Sequence, residues 1–595
     1  MTVSATPLDG PLVVLASTRT VLTLPDGSLM LSPATVALSP TTGKIVAVVP
    51  EVLPRSLFPP HTAYHDYSPR FLLPGLVDAH VHLNEPGRTE WEGFNTGTKA
   101  AASGGVTTVV DMPLNAIPPT TTLAGFKEKL AASQGQCWVD VGFYGGVIPG
   151  NADQLLPLVE AGVRGFKGFL IDSGVEEFPA VSSKDIALAM TTLKDTPTTL
   201  MFHAEMLPAI ADPVGDSVQQ SLPPAQPRGE LSSYSTFLAS RPPTFETCAV
   251  EEILSMANLA PQLHLHIVHL SATECIPILR KARQSGINIT AETCFHYLGL
   301  ASDGIEDGDT RHKCCPPIRS QTNQDRLWDE IGDAGGCIKT IVSDHSPCTP
   351  ELKLLPAHLQ TVDPGNVRPQ MRHFDSAIDV TLPEEAMDTA KVPAEGQGDF
   401  FAAWGGISSV GLGLPILYTR ATERAAAGEK APSIVDIVRM CCQATAMQVG
   451  LAHRKGGIKV GMDADICVFD DEDVWTLRAC DMRWKNRCSP WEGHTFRGRV
   501  QETWLRGQQV FQLGGENAGF NGGKPSWGAD IGEEDGVIKS DVGLWKGDIE
   551  AAVLLSELSL VHLASLRKGG LIMEDNVSEQ LTLLGLSREW SNSHL

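Results

Sequence analysis

The sequence predicts an α/β protein, a (β/α)8 TIM barrel with a small β-sandwich domain built from both ends of the main chain. Strand-like apolar runs alternate with helical stretches over residues 71–454, which is the pattern of a parallel barrel. Residues 1–70 and 455–512 carry short strands ended by turn residues. Because a β-rich unit as small as residues 1–70 buries itself poorly, we expect these two terminal segments to pack together.

Eight apolar runs have the length and spacing that a barrel requires. In chain order they are residues 71–82, 106–112, 137–145, 163–170, 199–203, 263–270, 287–293 and 338–343. The strands predicted for the small domain are residues 12–15, 35–38, 44–49, 457–469 and 500–507. Barrels of this kind place their functional side chains at the C-terminal ends of the strands, so the functional residues are expected there.

Two segments lie outside this pattern. Residues 351–397 combine several prolines with charged residues and are expected to form a loop inserted after the eighth strand. Residues 513–595 form an acidic C-terminal extension with a helical stretch near 548–567. The sequence assigns no chemical role to either segment.

Composition excludes several classes of function. The 595 residues are 42% hydrophobic and 19% charged, which suits a globular protein with a large core. The 70 acidic and 46 basic residues give a net charge of −24, which opposes binding to nucleic acid and to anionic membranes. No apolar run is long enough to span a bilayer, and no basic region precedes the first apolar stretch as in a secretory signal. Neither nucleic acid nor a membrane is therefore expected as a partner.

The cysteines and the last three residues indicate in which cellular compartment the protein is located. The 13 cysteines form no CxxC pair, and this pattern favours a reducing compartment. We therefore expect a cytoplasmic protein. The alternative is a peroxisomal one, because Ser593-His594-Leu595 resembles a variant of the Ser-Lys-Leu signal.

Histidines and an aspartate stand at the predicted C-terminal ends of the strands. His80 and His82 alternate at the end of the first strand, so both imidazoles face one side and can reach one metal ion. Such a pair alone is more often ordinary packing, but His203, His269 and Asp344 end the fifth, sixth and eighth strands. These side chains would meet at the mouth of the barrel. They supply the nitrogen and oxygen ligands that suit two zinc-like ions.

Lys167 lies near the end of the fourth strand, between glycine and phenylalanine residues. A bare ammonium inside a barrel costs free energy, so this amine is expected to be paired or chemically altered. Reaction with CO2 would give a carbamate able to bridge two cations, whereas a lysine that extends to solvent fits the spacing equally well. Alternation along the sixth strand places His264 and His266 on one face and His269 on the other, which does not show which of these histidines faces the site. The position of His269 at the end of the strand favours it.

A pair of ions held in this way would lower the pKa of a bridging water and polarise a carbonyl, as hydrolysis of an unreactive amide requires. Asp344 would take the proton from that water and pass it to the leaving nitrogen. The sequence therefore predicts a metal-dependent hydrolase.

The residues resemble the cyclic amidohydrolases, and within them the allantoinases, over about residues 10–350 and 398–510. The motifs that carry the resemblance are GLVDAHVH at 75–82, EPGR at 85–88 and DMPLN at 111–115. The resemblance implies two divalent metal ions, with zinc favoured, and CO2 for the modification of a lysine. The residues it implies as metal ligands are His80, His82, His203, His269, Asp344 and Lys167, the last as N6-carboxylysine, with Asp344 also the general base.

Shorter motifs favour the allantoinases. Residues 169–179, FLIDSGVEEFP, lack the tyrosine with which hydantoinases and dihydropyrimidinases hold their ring. The motifs SDHSPC at 343–348, AWGGIS at 403–408 and RPP at 241–243 favour the same family. The implied reaction is opening of the hydantoin ring of allantoin to allantoate, a step of purine catabolism.

The resemblance also suggests residues that contact the substrate. In relatives the loop that matches residues 314–319, CCPPIR, contacts the ring partly through backbone groups. Cys315 stands there where alanine is usual in allantoinases. Arg88 and Asn115 are further candidates, although Asn115 is equally suited to capping a turn.

Two other functions stay open at this point. Some relatives of the dihydropyrimidinases keep the fold and assemble without catalysis, but they lose metal ligands that this sequence retains. A dihydroorotase or a hydantoinase acting on another ring is the second alternative. The same ligands accept zinc, cobalt, manganese or iron, and the resemblance implies a homo-oligomer, with a homotetramer favoured.

Overall fold

The structure is a computed structural model, and it describes residues 12–208, 229–333, 335–359, 396–514 and 518–520. Most of the predicted insertion at 351–397 lies outside the described residues, as does the C-terminal extension beyond residue 520. The predicted helical stretch near 548–567 and the tripeptide Ser593-His594-Leu595 lie outside them as well.

The described residues form three sheets and twelve α-helices. The strands are β1 (Val13–Thr23), β2 (Leu29–Ser39), β3 (Lys44–Val49), β4 (Ala63–Asp66), β5 (Phe71–Pro74), β6 (Leu76–Val81), β7 (Val106–Asp111), β8 (Asp140–Phe143), β9 (Gly145–Gly146), β10 (Phe166–Phe169), β11 (Thr199–His203), β12 (His264–Ile267), β13 (Ile289–Cys294), β14 (Ile338–Val342), β15 (Ile466–Thr476), β16 (Thr495–Leu505), β17 (Gln508–Gln512) and β18 (Gly519–Phe520). The helices are α1 (Phe94–Ser103), α2 (Leu123–Ser133), α3 (Ala152–Glu160), α4 (Ser183–Leu193), α5 (Tyr234–Ser240), α6 (Pro243–Met256), α7 (Cys275–Gln284), α8 (Phe295–Gly299), α9 (Gln321–Ile331), α10 (Gly413–Ala426), α11 (Ile434–Val438) and α12 (Ala444–Gln448).

Both terminal segments contribute to one nine-stranded sheet. Its order is β18-β17-β16-β15-β5-β1-β2-β3, with β4 also paired to β1. Strand β5 connects the two segments, because it runs antiparallel to β15 and parallel to β1. Leu15, Val36, Ile466 and Trp504 belong to one buried apolar cluster on this sheet. The two ends of the chain are therefore held together by backbone hydrogen bonds and by a shared core.

The run predicted as the first barrel strand, residues 71–82, is divided between two sheets. Residues before Gly75 form β5 of the nine-stranded sheet, and residues after it form β6 of the barrel. A Cβ at Gly75 would lie 2.2 Å from Thr107 Oγ1, so the crossing has no room for a side chain. The boundary between the domains consequently falls at Gly75 and not before residue 71.

The remaining strands form the barrel. The sheets β6-β7-β8 and β9-β10-β11-β12-β13-β14 are parallel throughout. The third predicted strand is interrupted at Tyr144, whose N–H donates to Asp111 O at 3.0 Å. The ring closes where Val81 pairs in parallel with His345, just beyond β14. Counting β8 and β9 as one strand gives eight, and the predicted (β/α)8 barrel is confirmed.

Local sequence explains how strands and helices alternate. Strand β7, Val106–Asp111, is buried along its whole length, as expected for a parallel strand covered on both faces. Ser182 is the N-cap residue of helix α4, and it forms a reciprocal capping box with Asp185. Its buried residues Ile186, Ala189 and Leu193 recur at helical spacing and face the barrel.

A buried lysine connects the barrel to the small domain. Lys455 Nζ lies 2.5 Å from Asp140, 2.9 Å from Asp463 and 2.7 Å from Asp465. Burial opposes the charged ammonium, but the carboxylates, led by Asp140, outweigh that effect and raise the pKa of Lys455. The three carboxylates are close enough to suggest a cation site, and the lysine ammonium already occupies it.

Two further observations concern the whole described part. None of its helices combines the length and the apolar character needed to cross a bilayer. All thirteen cysteines lie in it as free thiols.

Candidate active site

Three residues predicted as metal ligands meet at the junction of the first and eighth barrel strands. Asp344 Oδ1 lies 3.2 Å from His80 Nε2 and 3.3 Å from His82 Nε2. All three side chains are buried. The alternation of β6 places both histidines on the inner face, and Asp344 follows β14, its neighbour across the closure.

The fifth and sixth strands carry a second pair of residues predicted as metal ligands. His203 Nδ1 lies 3.1 Å from His269 Nε2, and the ring centroids are 4.6 Å apart. The His269 ring is 5.5 Å from the His80 ring, so the two groups are neighbours inside the barrel, and the buried region between them is called the cavity below. His264 and His266 point elsewhere, because both bond to Thr290 Oγ1 at 2.7 Å.

Lys167 lies on β10 and faces the same cavity. Its Nζ is 4.8 Å from the centre of the Phe169 ring, which stacks on the His203 ring at 4.7 Å. The side chain is almost completely buried, and burial lowers the pKa of Lys167 to about 8. At pH values near 8, a large share of this amine is therefore neutral.

The surroundings keep most of the imidazoles neutral. Burial, followed by the Lys167 charge, holds the pKa of His203 and of His269 well below the usual value. Burial also lowers the pKa of His82. For His80, burial acts in the same direction, but the Asp344 and Glu292 carboxylates outweigh it and raise its pKa.

Asp344 is ionised at neutral pH. Burial alone would raise its pKa, but the contacts with His80 and His82 outweigh this and hold the pKa of Asp344 well below its usual range. Ser346 Oγ donates to Asp344 Oδ1 at 2.9 Å and so orients the carboxylate.

The backbone at two of these residues is strained. His269 has φ +38° and Asp344 has φ +44°, in the left-handed region that side chains other than glycine rarely adopt. The turn after Asp344 is held on both sides. His82 N–H donates to His345 O at 2.8 Å, and Ser409 N–H donates to His345 Nδ1 at 3.1 Å.

Carboxylates orient two of the histidines. His80 Nδ1 lies 2.5 Å from Glu292 Oε1, and Glu292 Oε2 lies 3.1 Å from His266 Nε2. His203 Nε2 lies 2.8 Å from Glu205 Oε2. These contacts leave His80 Nε2 and His203 Nδ1 directed into the cavity.

The donor atoms suit divalent cations of the zinc type. Two nitrogens bound tetrahedrally to one Zn2+ lie about 3.4 Å apart, close to the 3.1 Å between His203 Nδ1 and His269 Nε2. His80 Nε2 is buried and has no hydrogen-bond partner within the described residues, although it faces Asp344. Neutral imidazoles and an ionised carboxylate are the ligand forms that such ions require.

Of the residues predicted to contact a substrate, Asn115 lies beside a predicted ligand. Asn115 Nδ2 is 3.4 Å from His82 Nδ1, and Asn115 itself has φ +68°. Arg88 donates to Asn115 O at 2.8 Å and pairs with Glu177 at 3.2 Å, so it joins the loops after β7 and β10. Cys315 is half-buried and lies beside Gly405.

Two buried lysines hold the loop that carries Gly405. Lys313 Nζ donates to Phe401 O at 3.1 Å and to Ala403 O at 2.5 Å. Lys353 Nζ donates to Trp404 O at 3.1 Å and also to Gly406 O. Carbonyl dipoles thus stabilise both ammonium groups and fix this loop next to residue 315.

Sequence reasoning did not identify Glu292, Glu205 or Arg241 as parts of the site. A signal for Glu292 was present, since a carboxylate within a buried strand needs a partner. Glu205 follows His203 by two residues and could have been paired with it by position. Arg241 belongs to the RPP motif, but its contact with Glu205 joins residues 36 positions apart, which the residue pattern does not show.

Comparison with known proteins agrees with the fold. Residues 71–510 match the amidohydrolase family, so the chain belongs to that family. Membership implies a binuclear metal centre, for which the residues above are the candidate ligands.

Within the family, the curated relatives that resemble this chain include several allantoinases. It is 47% identical to the allantoinase of Saccharomyces cerevisiae over 80% of this chain and 92% of that protein. It is 38% identical to the allantoinase of Streptomyces avermitilis over 84% of this chain and 96% of that protein.

Solved structures share the fold at lower identity. The L-hydantoinase (dihydropyrimidinase) of Arthrobacter aurescens superposes with a TM-score of 0.68 at 23% identity, covering 87% of this chain and 99% of that chain. A D-hydantoinase from a Thermus species gives a TM-score of 0.67 at 21% identity, covering 87% of this chain and 98% of that chain.

Proposed function

We propose that this chain is an allantoinase, which opens the hydantoin ring of allantoin to allantoate with two divalent metal ions. The observation that carries the proposal is 47% identity to the yeast allantoinase across 92% of that enzyme. The site agrees with this assignment, because its histidines and carboxylate converge in a buried cavity at the C-terminal ends of the barrel strands.

Six residues would hold the metal ions. The ligands on one side would be His80, His82 and Asp344, and those on the other side would be His203 and His269. Lys167 would supply an anionic oxygen between them as N6-carboxylysine. Zinc is favoured, because imidazole nitrogens and carboxylate oxygens are its usual ligands. Two such ions lower the pKa of water and polarise an amide carbonyl.

The lysine modification follows from the state of its amine. The neutral amine of Lys167 attacks the carbon of CO2, a new N–C bond forms, and one proton is released to give the carbamate. Only a neutral amine has the lone pair for this step, and the pKa of Lys167, lowered to about 8 by burial, makes that form accessible.

Asp344 would act as the general base and then as the general acid. Its ionised carboxylate accepts a proton from the attacking water and delivers it to the ring nitrogen as the C–N bond breaks. The water oxygen becomes part of the new carboxylate, so one water is consumed per ring. The Ser346 hydroxyl, 2.9 Å from Asp344 Oδ1, keeps the carboxylate directed during the transfer.

Asn115, Arg88 and Cys315 would line the ring pocket. Asn115 lies beside His82, and Arg88 fixes the Asn115 backbone from the opposite side. Residues 169–179, which include the neighbouring loop, contain no tyrosine of the kind with which hydantoinases and dihydropyrimidinases hold their ring. The chain would work as a homo-oligomer, with a tetramer favoured, and light scattering of the purified protein tests this.

A substrate panel on metal-analysed protein tests the function. We expect kcat/KM for allantoin to exceed the values for dihydroorotate and dihydrouracil by at least about tenfold, or about 1.4 kcal/mol. Preference for either of the other rings would identify a dihydroorotase or a hydantoinase. Absence of bound metal together with hydrolysis of none of the rings would indicate a non-catalytic scaffold.

A further inference from the structure

The His203 ring has a polar neighbour at each nitrogen. Its Nε2 lies 2.8 Å from Glu205 Oε2, and its Nδ1 lies 3.1 Å from His269 Nε2. An ionised carboxylate can only accept a hydrogen bond, so the proton of the neutral ring is on Nε2. The Nδ1 lone pair is thereby directed toward His269.

His80 has the opposite arrangement. Glu292 contacts Nδ1 of that ring at 2.5 Å, and Nε2 is left to face Asp344. The two histidines thus present different nitrogens to the same cavity. Because a neutral imidazole exchanges readily between its tautomers, each ring needs its own partner to fix the proton.

Arg241 stabilises the carboxylate that serves His203. Its Nη1 lies 2.7 Å from Glu205 Oε2, and both side chains are buried. The same oxygen contacts His203 Nε2 at 2.8 Å, so the guanidinium and the imidazole share one acceptor. The guanidinium therefore fixes the position of the Glu205 carboxylate beside the His203 ring.

The backbone of Arg241 is held in turn by the loop at residues 314–319. Arg319 Nη2 donates to Arg241 O at 3.3 Å and to Glu246 Oε1 at 2.7 Å. Glu246 also accepts from Ser271 N–H and Ala272 N–H, both at 2.9 Å through Oε2. These residues follow His269, so one buried network connects the supports of both histidines.

We propose that Glu205 and Arg241 are positioning residues that fix the proton of His203 on Nε2 and so select Nδ1 as its metal-binding atom. The inference rests on the two-metal centre proposed above. It assigns a role to the arginine of the Arg-Pro-Pro motif at 241–243, and it predicts that the pair controls the ion held by His203 and His269.

Metal content and metal release test the proposal. Wild type, Glu205→Gln, Glu205→Leu and Arg241→Lys are loaded with Zn2+ and dialysed. Their zinc content is then measured, and release to a chromophoric chelator is followed in time. We expect two ions in wild type and about one in Glu205→Leu, with release of the weaker ion about 10- to 100-fold faster. Glu205→Gln should be intermediate, because its amide oxygen still accepts from Nε2–H but carries no charge.

A matched control variant distinguishes the loss of histidine positioning from the general effect of removing a buried carboxylate from an ion pair. Glu330 is buried and pairs with Arg280 at 2.5 Å, on helices that contribute none of the candidate ligands. Glu330→Gln is expected to lower the melting temperature while keeping two ions and the wild-type release rates. If the Glu205 variants release zinc no faster than Glu330→Gln does, the inference is overturned.

The outcomes also separate this inference from the proposed function. Absence of metal from wild type would contradict the two-metal centre itself. Two ions in wild type and unchanged release in every Glu205 and Arg241 variant would leave the centre intact and reject the positioning pair. If Glu205→Leu does not fold, the test depends on Glu205→Gln and Arg241→Lys. The inference then requires that both variants release one ion faster than wild type does.

Discussion

Glu292 Oε1 lies 2.5 Å from His80 Nδ1, and both side chains are fully buried in the barrel. Burial would raise the pKa of Glu292, but His80, followed by His266, outweighs it and lowers the pKa below its usual range. The carboxylate is therefore charged and holds the His80 ring with Nε2 toward Asp344. This contact joins the first strand of the barrel to the seventh, across its interior.

The first prediction concerns this pair. Glu292→Leu should reduce affinity for the ion held by His80 about 10- to 100-fold, because the ring loses the acceptor that fixes its proton. Zinc titration of the dialysed protein measures this effect. Thr290→Val serves as the control, since Thr290 contacts His266 but not His80. Equal affinities of Glu292→Leu and wild type would contradict the prediction.

The second prediction is that Lys167→Ala loses metal and activity together and that small carboxylic acids partly restore both. An unmodified ammonium at this position would repel the cations, whereas a carbamate supplies negative charge. Acetate or propionate can occupy the space that truncation leaves. Lys167→Arg retains a cation and fills that space, so it should show no rescue. Full activity of untreated Lys167→Ala would remove this residue from the site.

The sequence predicted the barrel because its signals are local. Each strand is a short apolar run, and parallel strands that are buried on both faces need no partner information to be recognised. The division of residues 71–82 at Gly75 was missed, because it depends on Thr107, a residue about thirty positions away that occupies the space of a side chain. Close approaches of this kind are set by tertiary packing.

The candidate site shows the same limit. The spacing of His80 and His82 and the positions of other histidines at strand ends are visible in the sequence. Glu205 lies two positions from His203, but the carboxylate that orients His80 is distant in the chain, since Glu292 is 212 positions from His80. Such contacts arise only when the barrel closes, so residue pattern alone could not reveal them.

The third prediction separates chemistry from backbone strain at Asp344. Asn tolerates the left-handed φ of +44° found here, whereas a β-branched residue does not. Compared as metal-free proteins, Asp344→Asn should therefore keep the wild-type melting temperature, and with metal added it should lose about 100-fold or more in kcat, because the general base is absent. Asp344→Val should also lose about 1–3 kcal/mol of unfolding free energy. Calorimetry and steady-state rates measure the two effects, and equal stability of both variants would reject the strain argument.

The fourth prediction concerns the inserted segment. Gly398 N–H donates to Leu354 O at 2.6 Å, so the described residues that flank residues 360–395 contact each other. Lys353 holds Trp404 O at 3.1 Å independently of the insertion. Replacing residues 360–395 by a short Gly-Ser linker should leave folding and metal content unchanged. Loss of both would make the segment a structural part of the barrel domain.

The last prediction concerns Lys455 and the pH dependence of stability. Lys455 heads the charges that lower the pKa of Asp463, so in wild type this carboxylate contributes stability above its unfolded pKa, and the contribution is lost as the pH falls below about 4. Lys455→Met leaves Asp140, Asp463 and Asp465 buried with their principal cation removed, which should cost about 3–5 kcal/mol at pH 7.

Burial raises the pKa of Asp465 even beside the ammonium, which acts in the opposite direction. Without the ammonium this pKa rises further above the unfolded value, so the variant gains stability relative to wild type as Asp465 takes up a proton. The difference in melting temperature between wild type and Lys455→Met should therefore be largest near pH 7 and shrink toward pH 5. Lys459→Met, which removes an exposed lysine beside Pro25, is the control and should show a small difference that varies little with pH. A difference for Lys455→Met that stays constant from pH 7 to pH 5 would mean that lost packing, and not unpaired charge, destabilises the variant.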